Sequence, residues 1–224
     1  MTRTKLGDRI LPEYTRKEEL INMISHIVGG AMGIVVTVLC AVIGALHQSA
    51  YSVVGGVIFG ATMILLYTMS AIYHGLSPEK MAKKVFQIFD HCAIFLLIAG
   101  TYTPLTLCTI RSYNPALGWA IFGLIWGMAV LGIVFNSIDL KKFRKFSMVC
   151  YLGMGWCVII TIGDLVKIFP APALALLISG GLSYTLGSAL YVAGKKKKYM
   201  HSLFHLFVVL GSLLHSLFIM IFVI

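Results

Sequence analysis

The sequence predicts an all-α membrane protein: a bundle of seven transmembrane helices, with the N-terminus cytoplasmic and the C-terminus extracytoplasmic. Three observations predict it. Of the 224 residues, 59% are hydrophobic and only 12% charged, where a soluble domain carries about 25% charge. The mean hydropathy is +0.93. The apolar residues fall into segments near the roughly 20 residues that a helix needs to cross a bilayer core. The basic residues fall in alternate connections between those segments.

The spans are expected at about 20–46, 50–74, 86–109, 116–136, 146–166, 171–194 and 199–223. His47-Gln48-Ser49 separates the first two. Gly75 to Lys84, with Pro78, ends the second. Arg111-Ser112-Tyr113-Asn114-Pro115 ends the third, and Asp139 to Lys145 the fourth. Pro170 and Pro172 mark the fifth turn, and Lys195 to Lys198 the sixth. Residues 1–19 form a polar cytoplasmic segment and 20–224 one membrane domain. The N-terminal segment lacks the apolar stretch of a signal peptide, so the first span is expected to act as the insertion signal. Glycine pairs inside the spans, such as Gly29-Gly30 and Gly180-Gly181, suit close helix approach.

Orientation follows from charge. Sixteen of the 18 Lys and Arg lie at the N-terminus and in the second, fourth and sixth connections. Only Arg111 and Lys167 lie on the other side. The basic side is the cytoplasmic one. The formal charge of +10 is therefore a topology signal. It can also attract anionic headgroups, and nothing in it points to nucleic acid. The expected location is the plasma membrane. The five cysteines fall in or beside spans without a C-x-x-C and read as buried free thiols.

Topology places His74 at the cytoplasmic end of span two and Asp90 about one turn into span three. His201 and His205 occupy the first two turns of span seven. These two are four apart, in H-S-L-F-H, so they share a helix face. Imidazoles and a carboxylate at one depth in lipid are costly unless they bind something. The cheapest explanation is a metal, and three histidines with an open fourth position suit zinc. Zinc lowers the pKa of bound water to about 7, and a nearby carboxylate can accept its proton. That chemistry suits attack on an amide or ester carbonyl, and a site at headgroup depth suggests a lipid substrate. Two histidines on one helix face fit haem less well, since axial ligands straddle the macrocycle. The H-E-x-x-H of soluble zinc proteases is absent.

The motifs resemble those of a known family. E-L-I-N-M-I-S-H (Glu19 to His26), S-A-I-Y-H (Ser70 to His74), F-D-H (Phe89 to His91), G-T-Y-T-P (Gly100 to Pro104) and H-S-L-F-H (His201 to His205) look like the signatures of the hemolysin III proteins. These are the bacterial branch of the progestin and adipoQ receptor superfamily. The resemblance implies that His74, His201 and His205 bind zinc. It implies that Asp90 holds the zinc-bound water and that Ser70 supports the site. It also points to relatives linked to ceramide hydrolysis, and so to a ceramidase-like zinc hydrolase acting on membrane lipid. The alternative is a non-catalytic sensor, regulator or lytic protein with a structural zinc. The sequence reads His91 as structural, because it points about 100° away from Asp90 on a helix. It reads His215 as a packed polar residue and His47 as a loop residue. His26 and Asn22 have no assigned role.

Overall fold

The computed structural model describes residues 3–193 and 197–224, and Lys195 and Lys196 of the sixth connection lie outside them. Among the described residues every regular element is helical. Six helices among the described residues are long and apolar enough to cross a membrane: α1 (Arg16–Leu46), α2 (Ala50–Gly75), α3 (Met81–Tyr113), α4 (Pro115–Ile168), α5 (Ala171–Ala193) and α6 (Met200–Val223).

Local chemistry explains where these helices start. Thr15 and Glu18 form a capping box, each side chain bonding the other's backbone N–H, so α1 begins at Arg16 instead of near residue 20. Ser49 caps α2 by accepting from the Ser52 N–H. Asn114 caps α4 with Pro115 in the first turn, where its missing N–H costs nothing.

Two helices carry irregular turns. Pro104 has no N–H to give the α3 ladder, and the next residues, Leu105–Ile110, form a π-helical turn. Thr106 Oγ1 bonds the Tyr102 carbonyl at 2.9 Å there, one way a membrane helix satisfies freed backbone groups. In α4, Trp156–Thr161 tightens to a 3₁₀ turn. The Tyr102 hydroxyl serves that turn twice. It donates to the Gly155 carbonyl at 2.9 Å and accepts from the Val158 N–H at 2.8 Å.

Helix α4 is also broken at Asp139, whose φ of −159° and ψ of 96° are extended. Asp139 Oδ1 accepts from the N–H groups of Lys141 and Lys142, each at 3.1 Å, which is N-cap chemistry for a fresh helix. Residues on either side of the break touch. Ser147 donates to Asn136 at 2.6 Å, Asn136 donates to the Tyr151 hydroxyl at 3.3 Å, and the Phe135 and Phe143 rings stack at 4.7 Å. Fifteen residues of straight helix would hold Asn136 and Tyr151 about 22 Å apart, so the chain folds back at Asp139. The other carboxylate oxygen accepts from the Thr4 N–H at 2.8 Å and ties the N-terminal segment to this turn.

Packing runs α1 on α2, α2 on α3, α3 on α4, α5 on α6 and α6 on α1. A Trp156 Nε1 to Thr185 hydrogen bond of 3.0 Å links α4 to α5, so the helices enclose a space. At mid-depth Tyr67 of α2 donates to Ser212 of α6 at 2.6 Å, and Ser212 also bonds Tyr184 of α5 at 2.7 Å. This triplet ties α6 to both α2 and α5. Close approach at one crossing requires glycine: a Cβ on Gly132 of α4 would overlap the buried Phe95 ring of α3. Exposed apolar residues such as Ile24, Val28, Val35 and Val42 give α1 its outward face, as lipid contact demands. The five cysteines are free.

Candidate metal centre

Three local features aim the histidines. His74 lies in the last turn of α2, which ends at Gly75. His201 and His205 lie in the first turns of α6. The start of α6 is pinned by Tyr199, whose backbone is left-handed (φ 63°) and whose N–H donates to Glu18 Oε1 at 2.7 Å. A left-handed tyrosine is uncommon, and here a buried carboxylate from α1 holds it.

The helices bring one nitrogen from each of His74, His201 and His205 within 4.8 Å of one another, and all three residues are buried. His201 Nε2 and His205 Nε2 are 3.0 Å apart. The set is three imidazoles with no thiolate, which is the donor chemistry of an open zinc site. The orphaned atoms agree with it. His74 Nδ1 meets Glu19 Oε2 at 2.5 Å, while His74 Nε2 has no hydrogen-bond partner. A carboxylate on Nδ1 fixes the tautomer that presents the Nε2 lone pair, as it does for most metal-bound histidines. Glu19 is itself held. Its Oε1 accepts from Lys83 Nζ at 2.7 Å, and Lys83, buried, also donates to the Leu76 carbonyl at 2.9 Å. These three histidines could hold a metal ion.

Two more rings frame the cluster. Tyr14 stacks on His201 with centroids 4.7 Å apart and planes at 16°. His26 lies on His205 with centroids 3.9 Å apart and edge-on to Tyr67 at 4.9 Å.

His201 and His205 also form part of the wall of a cavity of about 150 Å³ lined by residues of all six helices. Asp90, Ser70, His26 and His91 line the same cavity. Asp90 Oδ2 is 3.6 Å from His91 Nδ1, and Ser70 is fully buried. His74 stands behind this wall, its ring 4.8 Å from that of His205. The structure therefore brings His74, His201 and His205 together and places Asp90 and Ser70 on the wall of the adjoining cavity. His91 Nδ1 donates to the Gln87 carbonyl at 2.9 Å, a structural bond, yet its ring borders the cavity beside Asp90. His47 bonds the Ile224 carbonyl at 2.7 Å.

Sequence reasoning missed Glu19 and Lys83 as parts of the site. A signal for Glu19 was present: Glu19, Asn22 and His26 are spaced i, i+3, i+7 and share one helix face. Lys83 carried no such signal, since a lysine at a cytoplasmic span end already has a topological explanation. Glu19→Gln is expected to keep the fold and weaken zinc binding by about 10–100-fold, the usual effect of losing an outer-shell partner. Competition with a fluorescent zinc chelator measures this, and unchanged affinity would remove Glu19 from the site.

These features define a multi-pass helical membrane protein with a buried histidine cluster at one end of the bundle. The family model described as "Haemolysin-III related" matches residues 14–216, and the chain belongs to that family. It is 38% identical over 196 residues to "Hemolysin-3" of Bacillus cereus, covering 88% of this chain and 87% of the relative. It is 37% identical over 199 residues to "Hemolysin-3 homolog" of Bacillus subtilis, covering 89% and 91%. A more distant relative is the human "Monocyte to macrophage differentiation factor", 25% identical over 163 residues, covering 70% of this chain and 66% of that protein. The family resemblance read from the motifs is borne out, as is a multi-pass protein of a bacterial membrane.

Proposed function

We propose that this protein is a zinc-dependent membrane hydrolase of lipid amide or ester bonds, with zinc on His74, His201 and His205. One observation carries the reading: three buried imidazoles converge beside a largely apolar cavity that a carboxylate, Asp90, also lines. Zinc, when bound there, supplies Lewis acidity toward a carbonyl oxygen and toward water. The chain's own groups supply the rest. Glu19 and Lys83 orient His74. Asp90 takes the proton of the attacking water on a carboxylate oxygen and returns it to the leaving nitrogen or oxygen. Ser70, one turn before His74 and beside Asp90, positions that carboxylate. The apolar wall, including Leu97, Ile98, Leu152 and Val208, receives an acyl chain and excludes bulk water. The test is hydrolysis of a panel of lipid amides and esters by the purified protein. Turnover that disappears with Asp90→Asn supports the reading. If no member of the panel is turned over, a non-catalytic sensor or regulator becomes the better account.

The proposed topology has seven spans, with the break at Asp139 dividing α4 into two. The Asn136–Ser147 and Phe135–Phe143 contacts across that break support it, as does the alternation of basic connections. A reporter fused after Ile224 is expected to read as extracytoplasmic, and one inserted between Lys141 and Lys145 as cytoplasmic. A cytoplasmic C-terminus would require an even number of spans and would overturn the assignment.

A further inference from the structure

The cavity extends well beyond the histidine cluster. His215 lines it too, ten residues after His205 on α6, which is about 15 Å further along the helix. A second space of about 30 Å³ adjoins it there, sharing His215, Trp156 and Gly181 and ending at Phe218 and Ile219.

The polar groups at this deep end are almost all satisfied within the protein. Thr101 donates to the Leu97 carbonyl, Trp156 to Thr185, and Thr185 to the Gly181 carbonyl. The Tyr102 hydroxyl is used in both directions. His215 is the exception among the described residues. It is 8% exposed, and its Nε2 bonds the Leu177 carbonyl at 3.0 Å. A carbonyl only accepts, so Nε2 carries the proton and Nδ1 is a bare acceptor. That Nδ1 is buried without a partner. The Nε2–Cδ2 edge lies against Gly180 of α5, which leaves Nδ1 on the other side of the ring. The remaining unpartnered polar atoms of the cavity-lining residues belong to His26 and His205, at the metal end. The residues of the wall therefore carry unmet polar atoms at two depths, with apolar side chains between them.

We infer that the cavity receives a lipid chain carrying a hydroxyl near its middle, and that His215 Nδ1 accepts that hydroxyl's hydrogen bond. His215 is thus a specificity-determining residue, selecting hydroxylated over plain chains. The inference rests on the lipid reading of the cavity but not on turnover or on bound metal.

Oleate and ricinoleate, which differ by one mid-chain hydroxyl, are the probes. Their binding to the purified full-length protein is measured by titration calorimetry. The wild type is expected to bind ricinoleate roughly tenfold tighter, the worth of one buried hydrogen bond. His215→Phe keeps a ring against Gly180, so it is expected to retain oleate binding and lose the preference. Equal wild-type affinities, or a preference that survives in His215→Phe, would overturn the role of His215 while leaving the lipid reading intact. Failure of the wild type to bind either probe would overturn both.

Discussion

Asp90→Asn is expected to retain its zinc and lose about 10²–10⁴-fold in hydrolysis rate, the usual contribution of a general base. The amide is nearly isosteric with the carboxylate, so the cavity wall that Asp90 shares with Ser70 and His201 keeps its shape. The three imidazoles are untouched, so the metal has no reason to leave. The lost step is proton acceptance, which an amide cannot perform. Metal content and lipid turnover, measured on the same preparation, separate these effects. Full activity in the variant would sink the mechanism. Loss of zinc would make Asp90 part of the metal's own coordination.

His205→Ala is expected to lose metal and activity together. His205 is 1% exposed, and its Nε2 lies 3.0 Å from that of His201. Without it only His74 and His201 remain, too few for a stable zinc site. Bound metal stabilises the folded state by mass action, by about 4 kcal/mol when free metal is a thousandfold above Kd. The wild type should therefore melt at a lower temperature after chelation, whereas the variant should not respond to the chelator. A variant that still responds would mean that the metal lies elsewhere.

Much of this arrangement was legible from the chain, for identifiable reasons. Charge alternation and apolar length depend only on local composition, so the helical segments and their ends emerged within a few residues. The i, i+4 spacing of His201 and His205 places them on one face whatever surrounds them. Their meeting with His74 was not readable from spacing, because it depends on α6 packing against α1 and on the Tyr67–Ser212 bond between α2 and α6. The family motifs supplied that link. Lys83 was counted only as a charge of the second connection and Glu19 only as part of a motif, and only the fold shows them joined to His74. Asp139 was expected to open a seven-residue connection. Its side chain instead caps the next helix immediately, so the turn is a single extended residue. The 3₁₀ turn at Trp156–Thr161 had no sequence signal, since the Tyr102 hydroxyl that serves it comes from another helix.

The most direct test of the central claim is zinc-edge X-ray absorption on the purified wild-type protein. The account predicts about one zinc per chain, with imidazole scattering at about 2.0–2.1 Å and no sulfur shell. Protein purified with zinc in the buffer but holding none, or a sulfur shell at about 2.3 Å from one of the cysteines, would contradict it.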